Sequence, residues 1–108
     1  MKVKCYCIDA KNKPVIIPLN KWVIEGEKYH IIHVGTTIGS KIPTVTLSEI
    51  HLGKEYYPYE GFKLNRFAFT VEGLKQLIEL MKSCSELNKV NIDELIEESN
   101  LEILENKI

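Results

Sequence analysis

Long apolar runs are missing from this chain. None approaches the roughly 20 residues that cross a bilayer, so no membrane partner is expected. Cysteine is scarce: Cys5, Cys7 and Cys84 form an odd set without zinc-type pairs. That pattern implies free thiols in a reducing compartment. No N-x-[ST] glycosylation acceptor occurs. The opening MKVKCYCIDA has lysines with no apolar stretch behind them, so a signal peptide is not expected and a cytoplasmic protein is. Also lacking are a G-x-S-x-G elbow, a G-x-x-x-x-G-K-[ST] phosphate loop and a G-x-G-x-x-G turn. Each would place a nucleophile or cradle a phosphate. Without them no enzyme and no cofactor is expected. Internal repeats and low-complexity segments are absent too.

What is present suits one globular unit. The chain has 108 residues, 44% apolar and 27% charged, enough for a self-sufficient core. Its net charge of −1 hides an asymmetry. Residues 1–85 hold 12 Lys and Arg against 8 Asp and Glu, whereas residues 86–108 hold 2 against 7. A mildly basic body with an acidic tail falls short of the strong basic footprint of a dedicated nucleic-acid binder.

The first two-thirds read as β-structure. Val3, Cys5 and Cys7 alternate with Lys2, Lys4 and Tyr6, which predicts a strand at about 2–8. Pro14 and Pro18 then fix backbone angles and remove donors, so Val15 to Ile17 is an edge or an extended loop. Glu25-Gly26-Glu27 reads as a turn, and KYHIIHV (28–34), rich in β-branched and aromatic residues, as a strand whose Tyr29 and Ile31 face the core. A loop over 35–43 follows. VTLSEIHL (45–52) reads as another strand whose apolar phase changes midway, which predicts a bulge near Ser48-Glu49 or a strand bending over a barrel corner. GKEYYPY is a turn, and two short strands surround Asn65-Arg66.

At Thr70 the period changes. Thr70 is a good N-cap, and Val71, Leu74, Leu77, Ile78, Met81 and Cys84 make one helical stripe over about 71–87. Asn91-Ile92-Asp93-Glu94 has the layout of a capping box for a second, short helix carrying Ile92, Leu95, Ile96 and Ser99. Leu101, Leu104 and Ile108 fall on another side, which predicts a break near Asn100.

Few residues ask for chemistry. His30 and His33 lie three apart on a strand, where side chains alternate, so they point to opposite faces unless a bulge intervenes. His51 sits elsewhere. No metal site is expected from them, nor from Cys5 and Cys7, which read as small buried side chains. Glu25, Glu27, Glu49, Glu55 and Glu60 are scattered solvated charges. The distinctive segment is YYPYEGFKLNRFAF, which holds six of the nine aromatic residues. Phe62 and Phe67 read as core, and Tyr57 or Tyr59 as exposed. Tyr56, Tyr57 and Tyr59 around Pro58, with Arg66 nearby, form a candidate surface for a peptide or for stacked bases. They also suit the cover of an open barrel end. Trp22, in the long first loop, covers the barrel or flanks a groove.

The order of these signals resembles small SH3-like barrel proteins of bacteria and their phages. The residues carrying the likeness are Cys5 or Cys7, then Gly26-Glu27-Lys28-Tyr29-His30-Ile31, Val45-Thr46-Leu47, and Gly61-Phe62-Lys63-Leu64-Asn65-Arg66-Phe67. The likeness covers about residues 1–69, and the chain departs from it in the acidic residue after Gly26 and in the helices from Thr70. It implies a mainly β fold with α: a five-stranded SH3-like barrel over 1–69 and a helical extension over 70–108, packed on the barrel or on a partner chain.

The function expected is that of a non-catalytic protein-binding or adaptor module. It would work through the loops at 9–27, 35–43 and 53–60, with Trp22, Tyr56, Tyr57, Tyr59 and Arg66 as candidate partner-binding residues. One alternative is a nucleic-acid-binding barrel using Lys2, Lys4, Lys54, Lys63 and Arg66. Another is a structural or regulatory subunit acting through its C-terminal helices. Apolar residues in excess of what one small barrel can cover suggest a homodimer through those helices.

Overall fold

A computed structural model describes residues 1–36 and 41–104. The centre of the 35–43 loop and Ile108 lie outside the described residues. The first strand, β1 (Val3–Cys7), buries Val3, Cys5 and Cys7 and turns Lys4 outward, following its period of two. It pairs antiparallel with β2 (Lys28–Gly35) through Val3–Ile31 and Cys5–Tyr29. β2 pairs with β3 (Thr44–Leu47), and β3 with the short β4 (Phe62–Lys63). A 3-10 turn at Leu64–Arg66 leads into β5 (Phe67–Thr70), which returns to the other side of β1. The order is β4-β3-β2-β1-β5-β6, a six-stranded sheet curled into a half-barrel. The architecture is mixed β and α, and no helix lies among the described residues of 28–52.

The sixth strand corrects the expected five. β6 (Glu102–Leu104) comes from the C-terminal segment and runs parallel to β5, with Phe69 opposite Ile103. The break expected near Asn100 is present: Asn100 adopts a left-handed φ of 52° and stops the second helix, a position Asn tolerates better than most residues. The chain beyond it extends. Three residues carry too little periodicity to announce a strand.

A bulge is present, in a different strand from the one expected. Register shifts between Ile31–Leu47 and His33–Thr46, so β2 holds one extra residue, Ile32. Ile32 and His33 are both exposed, whereas Tyr29, Ile31 and Val34 are buried. β3 ends at Leu47; one further cross-strand bond, Ser48 N donating to His30 O at 2.9 Å, precedes the bend at Ser48-Glu49. The apolar phase change at Ile50 is thus the end of a strand.

Helix α1 (Val71–Ser83) starts as expected, with the Thr70 hydroxyl accepting from Gly73 N at 3.0 Å. It stops four residues early, and a 3-10 turn at Ser85–Leu87 takes over. Its buried residues are Gly73, Leu77, Leu80 and Met81, while Val71 is exposed. This corrects the expected stripe. At Gly73 the helix sits against β1, where an added Cβ would lie 3.1 Å from the Lys4 carbonyl oxygen. That close approach rotates the inward face toward Gly73 and Leu80 and turns Val71 out. Helix α2 (Ile92–Ser99) is capped by Asn91, whose side chain accepts from Glu94 N at 3.1 Å. Asp93 and Glu94 in its first turn suit the positive end of the helix dipole.

The core joins both halves of the chain. Phe67 and Phe69 are fully buried and Phe62 nearly so, together with Ile31, Val45, Leu64, Leu77, Met81 and Leu87. Each such burial stabilises by about 1.5–3 kcal/mol. α1 lays its apolar face on the sheet and α2 packs against α1; among the described residues of that segment, Val71, Val90 and Ile103 are the exposed large apolar side chains. No helix among the described residues is long and apolar enough to cross a membrane.

Candidate binding groove

The outward face of β3 alternates as its inward face does. Val45 and Leu47 enter the core, so Thr44 and Thr46 face outward. They form the floor of an open groove of about 560 Å³, extended by Lys63 of β4. One wall is the turn Tyr57-Pro58-Tyr59-Glu60, in which the Tyr57-Pro58 bond is cis. The turn is held by Tyr57 N donating to Lys54 O at 3.1 Å and Tyr59 N donating to Tyr56 O at 2.9 Å. Its return at Gly61 presses against β3: a Cβ there would collide with the Val45 carbonyl oxygen. Glycine is therefore required at that crossing. Tyr57 and Tyr59 also border a smaller concavity of about 240 Å³ with Leu52 and Lys54. The two rings stand as a ridge between two hollows.

The opposite wall is made by His33 and Glu86, with His33 Nε2 3.1 Å from Glu86 Oε1. The Ile32 bulge creates it. Without the extra residue, His30 and His33 would lie on opposite faces; with it, both point away from the core. They do not converge. His30 pairs with Glu49 and His33 with Glu86. Among the described residues no group of three His, Cys, Asp or Glu side chains is placed to hold a metal ion.

Titration follows these contacts. Burial raises the Glu49 pKa, but hydrogen bonds from the side chain and backbone of His30 outweigh it and hold the carboxyl below its ordinary value. Burial pushes the Cys5 thiol up to about 12 and raises Cys7 as well. Both remain protonated thiols at neutral pH and are poor nucleophiles. All three cysteines are free and buried, and Cys84 Sγ lies 3.8 Å from His33 Nδ1 behind the groove wall.

Of the five residues singled out from the sequence, the groove takes two. Tyr57 is 73% and Tyr59 42% exposed. Tyr56 is partly buried against the core. Trp22 and Arg66 are away from the groove and serve as fasteners of the long first loop. The Trp22 ring is 5.3 Å from that of Phe62, and its Nε1 donates to Ala10 O at 2.7 Å. Arg66 Nη1 donates to Asp9 O at 3.1 Å and Lys11 O at 2.8 Å, with its guanidinium 4.9 Å over the Trp22 ring. Trp22 is thus buried beside Phe62 of β4, away from the groove. His33, Thr44, Thr46 and Glu86 were not read as site residues. The first depends on the bulge and Glu86 arrives from 53 positions away, so no local signal marks them.

Comparison of the chain with protein-family models, with curated proteins and with solved structures finds no match.

Proposed function

We propose that this chain is a non-catalytic binding module built on an SH3-like barrel, and that it takes an extended peptide in the groove beside Tyr57 and Tyr59. Supporting the barrel reading are the order of the first five strands around β1 and the 3-10 turn between β4 and β5. The observation that carries the binding reading is the exposed tyrosine ridge between two hollows. Tyrosine offers a large rigid ring and a polar tip, and it is enriched where partners bind tightly. Thr44 and Thr46 supply hydroxyls along the floor, and the two-residue β4 leaves a sheet edge beside it. A peptide suits this groove better than a nucleic acid does. Glu60 and Glu86 stand with Lys63 and His33, so a phosphate backbone would meet carboxylates, and Arg66 is spent on the loop. Free, buried thiols agree with a cytoplasmic setting.

Peptides selected by display on the full chain test the reading. Their affinity, measured by calorimetry, should fall at least about tenfold for Tyr57→Ala/Tyr59→Ala, as removal of interface hot spots does. Undiminished binding to that variant, with its fold intact by circular dichroism, would sink the proposal.

A further inference from the structure

The long first loop carries a second surface, on the opposite logic to the groove. Pro14 O accepts from Ile17 N at 3.1 Å, closing a turn whose corner residues are Val15 and Ile16. Pro18 O accepts from Lys21 N at 2.9 Å, closing another that presents Leu19. Turn corners favour Gly, Asn, Asp and Ser. Here three of the four corner positions hold aliphatics, Asn20 being the fourth, and Val15 is 100%, Leu19 77% and Ile16 51% exposed. Such a cluster on a convex tip is a costly way to end a loop unless something covers it.

The tip is held firmly. Ile17 is fully buried as its anchor, and Lys13 Nζ donates to Pro14 O at 3.3 Å and Ile17 O at 2.6 Å. The bonds of Trp22 and Arg66 fix both ends of the loop. Leu19 O accepts from Trp22 N. Four carbonyls of the tip, those of Pro14, Ile17, Pro18 and Leu19, are thereby satisfied internally, and Pro14 and Pro18 have no N–H at all. These bonds reduce the number of bare polar backbone groups that the tip would carry into an apolar medium, where each would be costly. Its charges have one sign: between Asp9 and Glu25 the ionisable residues are Lys11, Lys13 and Lys21.

We infer that this tip docks on an anionic bilayer surface, with Val15, Ile16 and Leu19 entering the headgroup region and Lys11 and Lys21 meeting lipid phosphates. A convex aliphatic tip ringed by lysines is complementary to such a surface. A protein partner is less well matched, because the rings and guanidinium that make protein hot spots, Trp22 and Arg66, are turned inward to hold the loop. No spanning helix is needed for this, and the surface is distinct from the tyrosine groove.

Vesicle flotation of the full chain tests the inference. The protein should float with vesicles of phosphatidylcholine mixed with phosphatidylserine, and much less with phosphatidylcholine alone. Val15→Asp/Leu19→Asp should weaken partition by about tenfold or more, since two exposed aliphatics would no longer be buried. Lys11→Gln/Lys21→Gln should weaken it by about fivefold for each lysine; Lys13 is left in place because it holds the turn. Circular dichroism and thermal melting confirm that each variant folds, and Val15→Ser serves as a milder second probe. Tyr57→Ala/Tyr59→Ala should leave flotation unchanged, which separates this surface from the groove. The inference fails if the wild type does not float with anionic vesicles, or if the aspartate variant floats as well as the wild type. It fails equally if light scattering shows that the aspartate variant merely splits a dimer, for then a second copy covers the tip.

Discussion

Replacing Arg66 with alanine distinguishes a fastener from a ligand-binding group. The side chain is 11% exposed and gives two hydrogen bonds to loop carbonyls. A hydrogen bond involving a charged group contributes roughly 1.5–3 kcal/mol net. The stacking over Trp22 adds about 0.5–1 kcal/mol. The carboxylate of Asp9, 3.5 Å away and half-exposed, adds little, because solvent screens it. Water will re-hydrate the Asp9 and Lys11 carbonyls in the variant and offset part of the loss. A destabilisation of about 2–4 kcal/mol remains, which would show as a lower urea midpoint with an unchanged slope. Arg66→Lys should recover less than half of it. An ammonium lacks the planar face that stacks over Trp22 and, being more strongly hydrated than a guanidinium, loses more on leaving water. Tryptophan fluorescence gives a second reading, since Trp22 is the sole tryptophan and should become more hydrated in both variants. A loss below about 1 kcal/mol for alanine, or full recovery with lysine, would refute the fastening role.

Two further outcomes follow from burial and from the titration of Glu49. Phe67→Ala should cost about 3–5 kcal/mol in a denaturant titration, as buried phenylalanines do, whereas Tyr57→Ala should cost within about 0.5 kcal/mol, as exposed positions do; equal losses would show the aromatic assignment to be mistaken. Glu49 has a folded pKa below its ordinary value of 4.5, so its contribution is complete above that pH and is lost as pH falls through the folded value. Glu49→Gln should therefore flatten the decline of stability in that acid range, measured as urea midpoint against pH, and an identical decline in both proteins would contradict it.

The features legible in the sequence are those encoded within a few residues. The alternation at Val3 to Cys7, the Thr70 and Asn91 caps and the αL stop at Asn100 each depend on local sterics and hydrogen bonds. The exposed Tyr57 and Tyr59 follow from their place in a proline turn. What stayed illegible depends on distant partners. The bulge at Ile32 is set by pairing with β3, and moves one residue's worth of pattern without leaving a local trace. The outward turn of Val71 is set by contact between Gly73 and the Lys4 carbonyl. Glu86 reaches the groove only because α1 stops at Ser83 and a tighter turn follows. β6 exists because β5 offers it an edge. Arg66 looked like a surface cation because its acceptors are carbonyls more than fifty positions earlier, invisible to any composition argument.

The placement of β6 also sets how the fold answers to force. Tyr6 stands opposite Ala68 in an antiparallel ladder, and Thr70 opposite Leu104 in a parallel one. Continuing the first register by two residues brings Lys4 level with Thr70. The chain thus enters the sheet on one side of β5 and leaves it on the other, at the same end, two strand spacings or about 10 Å apart. Tension applied through flanking chain would act on both ladders from that end and open them one hydrogen bond at a time, like a zip. It would not load the whole ladder in shear. A tether spliced between these two points could be short.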